Sequence, residues 1–162
     1  MLRVLHSFLQ GMGNIFVSGR YRVEGESMLP VLAHRESVLV APTRNGLRRG
    51  DVAVFERPGG LGGIYVKRVV GLPGEDLQLA EGRVYLDGQL LEESYLKSAV
   101  DGADGEKNRE WFNGPDEYFL LGDNRADSND SRAFGPVPEK LIKGRAWFRC
   151  WPPTRWRPIS RL

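Results

Sequence analysis

The chain has 162 residues, enough for one domain with a hydrophobic core, and its composition of 41% hydrophobic and 27% charged residues is that of a globular protein. The net charge of +2 argues against a nucleic-acid-binding protein, which carries a pronounced basic face. One Cys and two His exclude an internal disulfide and the usual zinc ligand sets, so no metal and no other cofactor is expected.

The first 19 residues predict a short helical segment at a membrane interface, or one that packs on the domain. Residues 4–19 contain no Lys, Arg, Asp or Glu, but they include several polar side chains. A helix that crosses a bilayer needs roughly 20 mostly apolar residues. The segment also lacks the strong apolar core and the small-residue cleavage site of a secretory signal.

Residues 20–150 predict a mainly β domain, because short apolar runs alternate with Gly and Pro turns. Residues 87–116 show little periodicity and are expected to form a short cap insertion. Residues 151–162 form a basic, Trp-containing tail that offers a second membrane contact. Strands are expected at 20–26, 37–41, 52–55, 64–70, 77–79, 83–86 and 117–121.

A serine in the motif GESMLP follows the first predicted strand. Ser27 lies between a strand end and a turn limited by Pro30. A nucleophile needs such an exposed bend, with a free backbone N–H nearby to stabilise an oxyanion. An ordinary turn serine would have the same surroundings, so this motif alone is weak evidence.

A lysine occupies the middle of the β-branched segment IYVKRVV. Lys67 either reaches solvent from a sheet edge or is buried, and burial lowers the pKa of an amine. Lowering that pKa from about 10.4 to about 8 takes roughly 3.3 kcal/mol, which burial can supply. A neutral lysine accepts a serine proton without a histidine. Arg68 is expected on the opposite face of the strand.

A polar segment, GDNRADSNDSRAFGPV, follows the last predicted strand. It is either a surface loop or a rigid scaffold in which Asp123 pairs with Arg125 and Asp130 pairs with Arg132. Ser128 adds a hydroxyl group that could orient a lysine.

Together the three motifs resemble the signature boxes of the type I signal peptidases, serine proteases with a Ser/Lys dyad. The boxes correspond to residues 27–30, 67–75 and 122–137, and Gly50-Asp51 matches a lesser box. The resemblance covers about residues 20–150 in the family's order, and the last box is highly specific. It implies a signal-peptidase-like antiparallel β-sheet domain.

The resemblance implies a role for each matching residue. Ser27 would be the nucleophile and Lys67 the general base, with Ser128 orienting the lysine. Structural support of the site would come from Asp123, Asp130 and Arg132. The Ser27 backbone N–H would form half of the oxyanion hole.

Two positions depart from the family pattern. Many members carry a hydroxyl two residues before the nucleophile as the second oxyanion donor, whereas this chain has Gly25, so a backbone N–H or a water must serve, or the donor is absent. The family also has Gly-Asp before the next strand, whereas this chain has Arg35-Glu36. Because Arg does not adopt a positive φ as cheaply as Gly, a different turn is expected there.

The resemblance also implies how a substrate would bind. An extended signal peptide would add as a strand alongside residues 21–26 and 64–66. The expected lining of shallow pockets that admit small residues, giving Ala-x-Ala specificity, is Tyr21, Val23, Tyr65 and Val66. These four side chains could equally be ordinary core residues.

The expected function is removal of signal peptides from exported preproteins, at the extracytoplasmic side of a membrane, most simply the bacterial cell membrane. One alternative is a dedicated maturation protease of the same family, similar to the mitochondrial inner-membrane peptidases. Another is a self-cleaving repressor, although too few residues precede Ser27 for a DNA-binding domain. A non-catalytic binding module is the third, and the presence of both Ser27 and Lys67 argues against it.

Overall fold

The computed structural model describes residues 19–60, 62–96 and 108–161. The predicted N-terminal segment, apart from Gly19, lies outside these residues, as does the centre of the predicted cap. The described chain forms twelve strands and one short helix, α1. These are β1 (Gly19–Arg22), β2 (Ser37–Ala41), β3 (Val52–Glu56), β4 (Ile64–Gly71), β5 (Asp76–Ala80), β6 (Arg83–Leu86), β7 (Gln89–Leu90), β8 (Arg109–Phe112), β9 (Glu117–Leu121), α1 (Ser131–Phe134), β10 (Val137–Pro138), β11 (Ile142–Trp151) and β12 (Arg157–Pro158).

Two antiparallel sheets make up the described fold. The larger has the order β1-β2-β11-β3-β4-β9-β10, and β12 pairs with β11. The smaller has the order β7-β6-β5-β8. All strand pairs are antiparallel. The prediction of a mainly β, antiparallel fold is therefore confirmed.

Strand β4 has two unlike halves, and this difference positions the site. Residues 64–68 pair with β3, whereas only residues 68–71 also pair with β9. The exposure along the strand follows this pairing: Ile64 is exposed, and every residue from Lys67 onward is buried. Lys67 therefore lies where an open sheet edge becomes a closed sheet interior.

Three clusters of buried apolar side chains hold the sheets together. The first lies between the turn that carries Ser27 and β2, β3 and β11, and includes Met28 and Leu32. The second packs Phe55 and Val69 against Leu120. The third joins the two sheets. Its members are Val70, Leu77, Leu79, Val84, Leu86, Phe119 and Leu121.

Five strands of the described chain were not anticipated from the sequence: the two-residue strands β7, β10 and β12, and the longer strands β8 and β11. In the predicted cap, Arg109–Phe112 forms β8 and pairs with β5. At the other end of the chain, Ile142–Trp151 forms β11, which lies between β2 and β3 in the larger sheet. The tail then returns to this sheet, because β12 pairs with β11 and Ile159 is only 8% exposed in the first cluster.

At Arg35-Glu36, where a turn different from the family's is expected, the Arg side chain does not prevent a positive φ. Arg35 adopts φ 67°, the left-handed conformation that usually favours Gly. Its N–H bonds the Val23 carbonyl at 2.9 Å. The buried Glu36 carboxylate pairs with Arg149 at 2.8 Å and with Arg155 at 2.7 Å. These contacts stabilise a backbone conformation that Arg does not favour.

Candidate active site

The turn after β1 presents Ser27 at the surface of the domain. Met28 and Leu32 are buried on either side of the turn, and the Leu32 N–H bonds the Met28 carbonyl at 2.8 Å. Gly25 has φ 84°, which turns the chain out of the strand direction before the serine. Ser27 itself is half-buried. The buried neighbours therefore anchor a turn whose serine hydroxyl remains accessible.

The structure brings Lys67 and Ser27 together. The Lys67 Nζ donates to Ser27 Oγ at 2.6 Å and to the Val66 carbonyl at 3.1 Å. Lys67 is 4% exposed. No ion pair within the described residues involves this lysine. It is a buried amine whose partners are neutral oxygens.

Burial lowers the pKa of Lys67 to about 8, because the ammonium loses its hydration. The negative charges of Asp130 and Asp123 act in the opposite direction. About half of the Lys67 amines are therefore neutral near pH 8, and a neutral amine accepts a proton from a serine hydroxyl.

The loop of residues 122–132 packs directly on the turn that carries Ser27. The Asn124 N–H bonds the Ser27 carbonyl at 3.0 Å. A Cβ on Gly122 would lie 2.6 Å from that carbonyl oxygen and 2.2 Å from Ser128 Oγ. Only glycine fits at position 122, and its bare backbone allows the loop and the turn to meet.

The predicted hydrogen bond between Ser128 and Lys67 does not form. Within the described chain, the buried Ser128 Oγ has no hydrogen-bond partner, and the lysine amine bonds Ser27 and the Val66 carbonyl instead. Ser128 nevertheless lies against Gly122, in the loop that contacts Ser27. Its orienting role stays a prediction.

Of the two predicted ion pairs in this loop, one forms and one does not. Asp130 pairs with Arg132 at 2.9 Å and also accepts the Gly122 N–H at 3.0 Å. Asp123 does not pair with Arg125; it accepts two bonds from Arg68, at 2.7 and 2.8 Å. The alternation of a strand puts Arg68 on the face opposite Lys67, within reach of Asp123.

Arg125 takes a different partner, which the sequence reasoning missed. Its guanidinium bonds Glu93, with Nη1 at 2.9 Å from Oε2. Glu93 and Tyr95 lie in the first part of the predicted cap, and Tyr95 lies beneath the Arg68 guanidinium at 4.5 Å from the ring centre. A pairing across 32 positions leaves no local signal in the sequence.

The oxyanion side of the site has one candidate donor. Within the described residues, the Ser27 N–H makes no hydrogen bond. The Gly25 N–H, the uncertain second donor, instead bonds His34 Nδ1 at 3.1 Å. Sequence reasoning gave His34 no role, and Gly25 is not free to act as a donor in this arrangement.

Two sheet edges flank the serine. Val23 bonds toward β2 through both its N–H and its carbonyl, so the main-chain groups of Arg22 and Glu24 face outward from β1. Val69 bonds toward β3, so Ile64 and Val66 present theirs to the open side of β4. These two edges have unpaired strand positions available.

The four candidate pocket residues divide between two clusters. Val23 is buried in the first cluster, and Tyr21 and Val66 pack against it. Tyr65 packs in the second cluster, at 6.3 Å from Phe134 between ring centres. Tyr21, Tyr65 and Val66 remain partly accessible, and Val23 is only 4% exposed.

No group of three or more potential metal ligands occurs in the described part of the chain. Among the helices within residues 19–60, 62–96 and 108–161, none has the length and apolarity needed to span a membrane.

Comparison with known proteins gives the family. The family model described as signal peptidase, peptidase S26, matches residues 3–151. The chain belongs to this family. It is 38% identical to a signal peptidase I of Leptolyngbya laminosa over 90% of this chain and 74% of the relative. It is 34% identical to signal peptidase IB of Staphylococcus aureus strain COL, over 85% of this chain and 80% of the relative.

A solved structure agrees with the sequence relatives. The crystal structure of a signal peptidase I from Enterococcus faecalis matches with a TM-score of 0.54 and 31% identity, covering 64% of this chain and 98% of that chain. The predicted family and enzyme class are therefore confirmed, and the chain is a serine endopeptidase with signal peptidase I function.

Proposed function

We propose that this signal peptidase cleaves its substrates through a dyad of Ser27 and Lys67, after small residues in sites of the Ala-x-Ala type. The observation that carries the proposal is the 2.6 Å contact between Lys67 Nζ and Ser27 Oγ, made by a buried amine that is paired with no carboxylate in the described chain. Such an amine has the proton affinity that a general base near neutral pH requires.

The reaction would proceed through an acyl-enzyme. Neutral Lys67 takes the Ser27 hydroxyl proton as Oγ attacks the scissile carbonyl carbon, and the resulting oxyanion accepts the Ser27 N–H. The ammonium of Lys67 then protonates the leaving amine, and the peptide C–N bond breaks. In the second half, Lys67 deprotonates a water that attacks the ester, and Ser27 recovers its proton as the signal peptide leaves.

Substrate binding would use the two open edges as strand partners. The main-chain groups of Glu24 and the N–H of Val66 point away from the paired strands β2 and β3, while the Val66 carbonyl accepts from Lys67. A peptide extended there would form backbone hydrogen bonds that do not depend on its sequence. The nearly buried Val23 leaves little depth beneath such a strand, which would favour alanine-sized side chains.

Membrane contact is the second part of the proposal. Trp151 and Trp156 are 50% and 60% exposed, and the surrounding tail contains Arg155 and Arg157. Trp and Arg together suit the boundary between headgroups and acyl chains. The catalytic domain would then work at the extracytoplasmic membrane surface, where preproteins emerge. Flotation with anionic liposomes should recover the chain and recover less of a Trp151→Ser, Trp156→Ser variant.

The dyad is tested with a labelled precursor that carries an Ala-x-Ala site. Ser27→Ala and Lys67→Ala should each abolish cleavage while circular dichroism remains that of the folded protein. Exposed residues of the same types supply matched controls, Ser94→Ala and Lys140→Ala, which should cleave normally. Wild-type turnover in either dyad variant would refute the mechanism.

A panel of precursors tests the breadth of the substrate range. General processing requires cleavage of several unrelated signal peptides with alanine before the cut. Cleavage of a single precursor from the panel would indicate a dedicated maturation protease instead. Replacing the last alanine of the site with a bulkier leucine should stop cleavage in either case.

A further inference from the structure

A buried cluster of charged and aromatic side chains joins the start of the predicted cap to the loop that supports the nucleophile. It lies on the side of β4 opposite Lys67. We name it the cap-root cluster, and its members are Arg68, Glu93, Tyr95, Asp123 and Arg125.

Glu93 and Arg125 form the outer ion pair of the cap-root cluster. Their side chains are 9% and 5% exposed, so the pair is largely withdrawn from water. Both carboxylate oxygens of Glu93 bond the guanidinium, one of them at 2.9 Å. Arg125 also donates through Nε to the Gly122 carbonyl at 3.0 Å. Glu93 therefore holds a cation that is itself fixed to the loop at Gly122.

Tyr95 connects the outer pair to the inner pair of Arg68 and Asp123. Its hydroxyl donates to Glu93 and accepts from Arg125 Nη2 at 3.3 Å, while its ring lies beneath Arg68. Burial and the neighbouring Glu93 raise the pKa of the Tyr95 phenol above its ordinary value. The hydroxyl consequently stays protonated and continues to donate.

The two cations and two anions of the cap-root cluster alternate in sign from one neighbour to the next. This arrangement affects which cation Asp123 binds. Arg125 lies two positions after Asp123 and feels its negative charge. Glu93 bonds the Arg125 guanidinium through both carboxylate oxygens, while both oxygens of Asp123 bond Arg68. Without Glu93, the Arg125 charge would have Asp123 as its remaining acidic neighbour in the cluster.

We propose that Glu93 is a positioning residue for Lys67, because it holds Arg125 away from Asp123 and so preserves the charge arrangement around the lysine, with Tyr95 orienting the Glu93 carboxylate. The inference rests on the proposed role of Lys67 as general base. It assigns a function to the root of the cap, which sequence reasoning treated as an insertion.

The charged groups around the lysine, on both faces of β4, determine the expected sign. Asp123 and Asp130 come from the loop, Arg132 is bonded to Asp130, and Arg68 is the neighbour of Lys67 in β4. A guanidinium that turns toward Asp123 screens one of the two acids that favour the ammonium. Losing the Glu93 charge should therefore lower the Lys67 pKa further.

The test is a direct NMR titration of the Lys67 side chain in the full chain, with specific assignment by Lys67→Arg. In Glu93→Gln, the Lys67 pKa should fall by at least ~0.3 pH unit, as expected for one added charge at moderate distance. The rising limb of kcat/KM against pH should move to lower pH by the same amount. The adjacent, exposed Glu92 supplies the matched control, because Glu92→Gln should leave the titration unchanged.

A second pair of variants separates this role from simple support of the fold. In an Arg125→Gln background, Glu93→Gln should cause no further change in the Lys67 pKa, because the Arg125 charge that Glu93 restrains is already absent. Tyr95→Phe keeps the ring beneath Arg68 and should give a smaller fall in the same direction.

Two results would overturn the inference. Glu93→Gln could behave as Glu92→Gln does, or it could raise the Lys67 pKa toward 10.5, which would mean that the loop had opened and hydrated the amine. If the proposed dyad were wrong, Ser27→Ala would still cleave the precursor, and this is a separate measurement. The Lys67 pKa can be measured even in a protein that has no cleavage activity.

Discussion

Lys67 and Arg68 are adjacent in β4 and are buried on its opposite faces. Within the described residues, Arg68 has a carboxylate partner and Lys67 has none. Arg68 is 0% exposed, and two bonds to Asp123 and a third to the Gly50 carbonyl satisfy its guanidinium. Lys67 is 4% exposed, and it contacts the Ser27 hydroxyl and a carbonyl oxygen. Burial with a counter-ion suits Arg68 to structural support, whereas burial without one suits Lys67 to the proposed role of general base. The face of β4 from which the side chain projects determines whether it meets a counter-ion.

The largest expected effect follows from giving the Lys67 position a charge that cannot be removed. Lys67→Arg keeps a cation next to Ser27, but a guanidinium does not lose its proton in a protein. Cleavage should fall at least about 10³-fold in kcat/KM, the middle of the range for loss of a general base. Lys140→Arg, an exposed counterpart, should cleave normally. Substantial activity in Lys67→Arg would show that proton removal by this residue is not needed.

Removing Arg68 should lower the free energy of unfolding, whereas removing Lys67 should not. Arg68→Met leaves the Asp123 carboxylate buried and unpaired, which costs about 3–5 kcal/mol of unfolding free energy. Urea denaturation measures the loss. Replacing both partners, as Arg68→Met with Asp123→Leu, should recover most of it. Arg83→Met, at an exposed strand position, serves as the control. If Arg68→Met, the double variant and Arg83→Met were equally stable, the structural role of the Arg68–Asp123 pair would be contradicted.

The different surroundings of Lys67 and Arg68 could be predicted only partly from the sequence. Most strands follow from apolar runs between Gly and Pro turns, and alternation along β4 separates Lys67 from Arg68. The sequence does not reveal β11, because Lys143, Arg145 and Arg149 interrupt the apolar runs by which the other strands are recognised. Arg149 is buried there only because Glu36, far away in the chain, neutralises it. The Glu93–Arg125 pair was unpredictable for the same reason, whereas the charge-rich loop suggested a local Asp123–Arg125 pair that does not form.

The missing counter-ion of Lys67 should itself be measurable as a stability cost. The unfolded lysine holds its proton up to about pH 10.5, whereas the folded one releases it near pH 8. The folded state is therefore penalised in full below pH 8, and the penalty fades as the pH rises from 8 to 10.5. Lys67→Met should unfold with up to about 3 kcal/mol more free energy at pH 7 and lose this advantage near pH 10.5. A constant difference across that window would mean that the lysine pKa is not lowered.

A smaller loss should follow from separating the two elements that meet at the serine. The new methyl group of Gly122→Ala would collide with Ser128 Oγ and with the Ser27 carbonyl oxygen. A displacement of about 1 Å at a nucleophile typically reduces the rate about 10²-fold. Gly114→Ala meets only the end of the Glu117 side chain and should leave kcat unchanged. An active Gly122→Ala enzyme would show that the turn tolerates movement of the loop.

The smallest effect concerns a third cation near the site, Arg35, whose importance lies in its backbone. Its N–H bonds the Val23 carbonyl and its φ is 67°, so the position depends on conformation rather than on charge. Arg35→Gly relieves the left-handed strain but adds freedom to the unfolded chain, and these opposing terms leave a change of less than about 1 kcal/mol. Arg35→Val should destabilise more, because a β-branched side chain resists a positive φ. Cleavage should persist in the glycine variant, since the hydrogen bond is made by the main chain. Loss of cleavage there, with stability retained, would assign the Arg35 side chain a part in the site that its backbone contacts do not explain.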